Sequence, residues 1–180
     1  IYPLAGNHEF IMMSILPKLM QEISEDNIES TITEEFLHKY NLWIEDGGAT
    51  TVNGFKKLLK EEQEFLLDYL DNMSVYEKIR VNNQNYILVH SLPSDLQNKK
   101  NLNYQIEEVL FGRPDFTASW NQEDIYIIGH TPTFKIPGAV PGKIYRRNNL
   151  IDIDCGCVTG HALCAYCIDT GEAFYEPVLI

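Results

Sequence analysis

The sequence predicts a layered α/β or α+β domain, and three features lead there. Its N-terminal part carries apolar residues at helical spacing. From Lys78 onward, short runs rich in Ile, Val and Tyr alternate with turn residues, as strands do. Three apolar, strand-like segments end in an Asn or a His, the arrangement that puts ligands outside the carboxyl edge of a sheet.

Taken in order, residues 1–5 form a short apolar run that reads as the end of a buried strand, stopping at Gly6-Asn7-His8-Glu9. Residues 10–20 have helical character, interrupted by Pro17. Residues 33–42 read as a second helix, with Thr31 or Thr33 as cap ahead of Glu34 and Glu35. Residues 46–51, with their Gly-Gly pair, read as a turn. The spacing then predicts one helix over residues 55–73. Leu58, Leu59, Phe65, Leu66, Tyr69 and Leu70 lie on its apolar face, with Lys60, Glu61, Glu64 and Asp68 on a solvated one. Strands are expected at residues 78–81, 86–90, 124–129, 150–155 and 162–169, with a hairpin-like turn at residues 82–85. A helix is expected at residues 106–110 and a long loop at residues 131–147.

At 180 residues the chain has ordinary globular composition, with 44% hydrophobic and 22% charged residues, and the whole of residues 1–180 is expected to form one domain. A formal net charge of −12, with no basic stripe, argues against nucleic acid as a partner. It leaves phosphate chemistry open, because metal ions and a few Arg residues can dominate a local field. No apolar run reaches the roughly 18 residues needed to span a bilayer, so no membrane partner is expected. Cys155, Cys157, Cys164 and Cys167 are clustered rather than scattered in pairs, which favours a reducing, cytoplasmic setting over a disulfide framework.

The segments that carry chemistry are Pro3-Leu4-Ala5-Gly6-Asn7-His8-Glu9, Ile87-Leu88-Val89-His90-Ser91 and Ile127-Ile128-Gly129-His130-Thr131. Each delivers an amide oxygen or an imidazole at a strand end, a donor set suited to Mn, Fe or Zn. Gly6 and Gly129 are expected to supply the positive φ, or close backbone approach, that a ligand loop requires. Taken singly, each His also has a bland reading as a hydrogen-bonded core or loop residue. The repeated pattern is what favours a metal site.

Leu4-Ala5-Gly6-Asn7-His8-Glu9 resembles the GNHE motif of the calcineurin-like metallophosphoesterases, in particular the serine/threonine phosphoprotein phosphatase branch and its bacterial and phage members. Val89-His90 resembles that family's next metal-histidine strand, and Gly129-His130-Thr131 its GHT motif. Leu110-Phe111-Gly112-Arg113 is similar to the segment supplying a phosphate-binding Arg, and Ile151-Asp152-Ile153-Asp154-Cys155-Gly156 to the closing hairpin. The resemblance implies a β-sandwich flanked by helices. It also implies Asn7, His90 and His130 as ligands of one of two divalent ions, His8 as general acid and Arg113 as the phosphate clamp. The implied reaction is phosphoester hydrolysis by in-line attack of a metal-bound hydroxide. The implied substrate is phosphoserine or phosphothreonine in a protein, or another small phosphoester; hydrolysis of dinucleoside polyphosphates, which a related bacterial branch performs with the same motifs, is the alternative.

Two motifs of that family, GDxHG and GDxxDRG, have no match in the sequence. They supply the other metal's ligands, the bridging Asp and the carboxylate partner of the acid histidine. Asp46-Gly47-Gly48 and Asp169-Thr170-Gly171 read as turns, in the wrong order to substitute. The expectation is therefore a segment preceding Ile1 that carries these motifs and the N-terminal strands. At most one partial metal site is expected in residues 1–180, with little catalysis from them alone. Two other classes compete: a non-catalytic binding module, motivated by the missing carboxylates, and a zinc-stabilised domain built on the cysteines and His161. Against the zinc site, Cys164 and Cys167 would face opposite sides of one strand, and buried, inert thiols are the blander reading.

Overall fold

The computed structural model describes residues 1–94, 105–118 and 123–178, in two compact units, Ile1–Met73 and Ser74–Ile180. The fold is mixed α/β, as expected, with the first unit helical and the second built on a mixed sheet.

In the first unit, residues 1–5 form no strand beyond a single bridge position at Leu4, and the chain enters helix α1 (Asn7–Leu19) directly from Gly6. The helix starts there because the Glu9 carboxylate accepts a 2.8 Å hydrogen bond from Gly6 N, satisfying a donor the first turn would leave open. Ile15 and Leu16 are fully buried, with Ile11, Met12 and Leu19 packed beside them at helical spacing. A short helix, α2 (Ile28–Thr31), precedes α3 (Glu34–Trp43), which begins where Thr33 accepts from Phe36 N at 3.1 Å.

After α3 the chain makes one wide turn over Ile44–Gly48, leaves helical geometry at Asp46 and Gly47, and resumes as α4 (Ala49–Phe55). The turn expected over residues 46–51 is thus confined to its first residues. The single helix expected over residues 55–73 is likewise two elements, α4 and α5 (Lys60–Asp71), broken at residues 56–59. The break rotates the apolar face. Leu58, Leu66, Leu67 and Leu70 join the core with Phe36, Trp43, Val52 and Phe55, whereas Leu59, Phe65 and Tyr69 are exposed.

In the second unit, β1 (Tyr76–Val81) and β2 (Gln84–Val89) form a hairpin whose turn residues, Asn82 and Asn83, both have positive φ. Asn tolerates that region, and such turns match the strand twist. Helix α6 (Ile106–Phe111) follows, then β3 (Asp124–Ile128), β4 (Tyr145–Arg147) and β5 (Leu150–Asp152). The sheet order is β1-β2-β3-β5-β4, with β2-β3 and β3-β5 parallel. β4 lies inside the stretch expected to be loop, and β5 is shorter than expected. A separate hairpin pairs β6 (Ala162–Tyr166) with β7 (Ala173–Pro177). Ile87, Val89, Leu92, Tyr126, Ile128 and Leu150 form this unit's core, with Val109 of α6 packed against it.

Candidate functional site

β2 and β3 run parallel in the register Leu88↔Ile127, so their carboxyl ends emerge side by side. Gly129 N donates to His90 O at 3.0 Å, tying the two strand ends together. Two residues later, Thr131 N donates back to Gly129 O at 2.8 Å, closing a three-residue γ-turn with His130 at its centre. His130 there has φ of +69°. The positive φ therefore falls on the histidine, whereas Gly129 is not among the positive-φ residues and Gly6 is extended at φ −106°. A positive φ at a non-Gly residue is a local strain that persists where the surroundings dictate it, and such positions cluster at functional sites.

The outcome is a close imidazole pair, with His90 Nε2 3.1 Å from His130 Nδ1 and both side chains partly buried. The ring centroids are 4.9 Å apart and the planes inclined at 63°. Two nitrogens at that separation, each bonded to one ion at about 2.1 Å, would subtend about 95° at it, close to the angle between neighbouring ligands of a five- or six-coordinate ion. The donor set thus fits a divalent metal. Among the described residues no group of three or more His, Cys, Asp or Glu comes together.

Arg113 is held beside the same strand end. Ser91, the residue after His90, donates from its backbone N to Val109 O at 3.1 Å and from its Oγ to Gly112 O at 2.5 Å. Gly112 lies so close to Leu92 O and Glu108 O that a Cβ would collide with both carbonyls. The end of α6 is thereby pressed onto the chain just past His90, and Arg113 leaves it exposed to solvent.

In the first unit, Asn7 and His8 occupy the first turn of α1. Asn7 is buried at 8% exposure, and His8 is partly exposed. His8 Nε2 lies 3.3 Å from Asp46 Oδ2. The Asp-Gly-Gly signature of residues 46–48 reports the turn but not what the Asp46 carboxylate faces.

Asp152, at the end of β5, is completely buried. Its Oδ1 accepts from Asp154 N at 2.8 Å, and its Oδ2 has no hydrogen-bond partner among the described residues. Burial pushes its carboxyl up to about 8, outweighing the Asp154 N–H bond that pulls the other way, so the side chain is neutral at pH 7. Asp154 Oδ1 accepts from Gly156 N at 3.0 Å and shapes the turn after β5. Burial, reinforced by the neighbouring Cys164, likewise pushes the Cys155 thiol up to about 12, and burial raises Cys164. His161 stacks on Phe134 with centroids 4.8 Å apart. The cysteines and His161 are therefore not gathered into a tetrahedral set among the described residues.

Neither a protein-family model nor the sequence of a characterised protein matches the chain. Among solved structures, that of a candidate diadenosine tetraphosphatase is similar, with a TM-score of 0.55 at 15% sequence identity. The likeness covers 98% of this chain and 68% of that one. At such identity the likeness is one of fold, and the chain shares the mixed α/β fold of that protein.

Proposed function

We propose that the chain carries part of the active site of a metal-dependent phosphoester hydrolase, with both units belonging to one metallophosphoesterase domain. In this proposal Asn7, His90 and His130 are ligands of one of two divalent ions, Mn, Fe or Zn. The observation that carries it is the His90–His130 pair, 3.1 Å apart and held by a strained turn. When bound, a pair of ions would polarise the phosphoryl group and activate water for in-line attack. His8, in the first turn of α1, supplies the proton that a departing oxygen needs. Arg113, on its anchored turn, offers a guanidinium fork to the phosphoryl oxygens.

For the substrate, the fold shared with a candidate diadenosine tetraphosphatase supports a dinucleoside polyphosphate. A second reading, a phosphoserine or phosphothreonine protein, draws on the GNHE and GHT segments, Gly6–Glu9 and Gly129–Thr131. Comparing kcat/KM for diadenosine tetraphosphate and a phosphopeptide in the full-length enzyme, with Mn in excess, separates them, and the variants below are made in that enzyme. The expected outcome is at least a tenfold preference for the dinucleotide, about 1.4 kcal/mol in transition-state binding. His8→Asn is expected to lose turnover and keep metal, and His130→Ala to lose both. Unchanged metal stoichiometry in His130→Ala and in His90→Ala would overturn the metal assignment.

A further inference from the structure

We propose that an apolar cleft between α6 and the β1–β2 hairpin is the subsite for one nucleobase of the substrate. The inference deepens the dinucleoside polyphosphate reading of the proposed function and rests on it. One base enters the cleft, and the phosphate chain crosses the sheet edge toward His90 and His130.

The cleft has a volume of about 190 Å³. Tyr76 at the start of β1, Ile87 and Val89 of β2, Leu92, and Ile106 and Val109 of α6 are among its walls. Its place follows from register. β1 pairs antiparallel with β2, and Tyr76 stands opposite Val89. Tyr76 is therefore at the carboxyl end of β2, where His90 is the next residue. Ile87 and Val89 are two residues apart and share one face of the sheet, against which Val109 packs. Ser91 N donates to Val109 O at 3.1 Å, and Gly112 is pressed against Leu92 O. The short helix that supplies two walls of the cleft thus also carries Arg113, one residue past Gly112. A substrate held by Arg113 and the histidine pair has its next group at this edge.

Size and chemistry select the occupant. An apolar cavity of about 150 Å³ holds one benzene ring, and pockets for drug-sized ligands start at about 300 Å³. At about 190 Å³, the cleft fits one base and not a whole nucleotide. A base presents a flat π-face that stacks on an aromatic ring. Tyr76, 55% exposed, supplies that ring, and Ile106, 38% exposed, a further apolar wall. Sugar and phosphates stay in water, because an apolar wall cannot replace their hydrogen bonds. Among the described residues, the Tyr76 hydroxyl is the only side-chain hydrogen-bonding group in the walls. The subsite therefore reads shape and stacking, and not the polar edge of the base.

The test uses the full-length enzyme with Mn in excess. Diadenosine and diguanosine tetraphosphate are the substrates, and inorganic tetraphosphate is a competitor that has no base. Tyr76 and Ile106 are on the surface, so Tyr76→Ala and Ile106→Trp leave the core intact. The first removes the stacking ring, and the second fills the cleft. Each should raise KM for diadenosine tetraphosphate about tenfold, the scale of one lost stack, with kcat within about twofold. Inhibition by inorganic tetraphosphate should be unchanged in both, and Tyr76→Phe should match the unmodified enzyme. The two dinucleotides should differ by less than about threefold in KM, since stacking tolerates either base. An unmoved KM in both variants, or an equal weakening of inorganic tetraphosphate, would overturn the proposal. If the unmodified enzyme hydrolysed no dinucleotide, the functional reading would fail. Adenosine titrated against the Ile106 δ1-methyl signal then decides the cleft by itself. A shift that is lost in Tyr76→Ala sustains base binding, and no shift ends it.

Discussion

Asp152 illustrates what a single buried residue costs and signals. Its carboxyl would titrate at its ordinary 3.8 in the unfolded chain and near 8 in the fold. Between those values the folded protein holds a proton at Asp152 that the unfolded chain has released, so the contribution of Asp152 to stability is most favourable on the acidic side and falls as pH rises toward 8. Asp152→Asn replaces the neutral acid by a neutral amide and removes that slope. Urea midpoints of the two proteins should lie close together near pH 5 and diverge toward pH 8, with the variant gaining about 1.4 kcal/mol per pH unit at the steepest. A constant difference across the range would place the raised carboxyl elsewhere. The histidines teach the complementary lesson. His8, His90 and His130 stand out in the sequence because each follows an apolar run, and the side chains of His90 and His130 do meet. The supporting detail is different from that expected, since the strain sits on His130 itself and not on the glycine before it.

Elements were legible where a local signal dictates the backbone. Thr33 caps α3 because its hydroxyl reaches Phe36 N, and the Asn82-Asn83 turn fits a two-residue hairpin. They were misread where packing decides. The helix expected across residues 55–73 breaks because the chain must present Phe55 and Leu58 to one core and then restart at Leu59, whose N–H is capped by Glu62 at 2.8 Å. β4 escaped notice because Tyr145-Arg146-Arg147 lacks apolar alternation; it is a strand by virtue of pairing with β5 at the sheet edge. At the level of α6, Gly112 is predicted to be the sensitive position. Gly112→Ala would force the helix end away from Leu92 O and loosen the Ser91 bond that holds Arg113 near His90. A loss of roughly 1–3 kcal/mol in urea unfolding is expected, together with a raised KM for any phosphoester. Wild-type values for both would show that the anchor is dispensable.

For the molecule as a whole, a metal that binds only the folded state must stabilise it by mass action. At a free Mn concentration about 100 times its Kd, the gain is about 2.7 kcal/mol, or roughly 5–10 °C in Tm for a chain of this size. Thermal melts with and without Mn should show that shift, and the His90→Ala/His130→Ala double variant should not. Equal shifts in both proteins would place the metal away from these histidines. Among the described residues no helix is long and apolar enough to cross a membrane.

From sequence alone came the mixed α/β class, the strand-then-histidine pattern and the acid-base types on offer, because periodicity, turn chemistry and side-chain chemistry are local properties. Only the tertiary structure decided that His90 and His130 lie within a hydrogen bond's reach, since that follows from the parallel register of β2 with β3. The same holds for Asp46 against His8. Which carboxylate faces which ring depends on how two distant turns are clamped, and no local spacing encodes it.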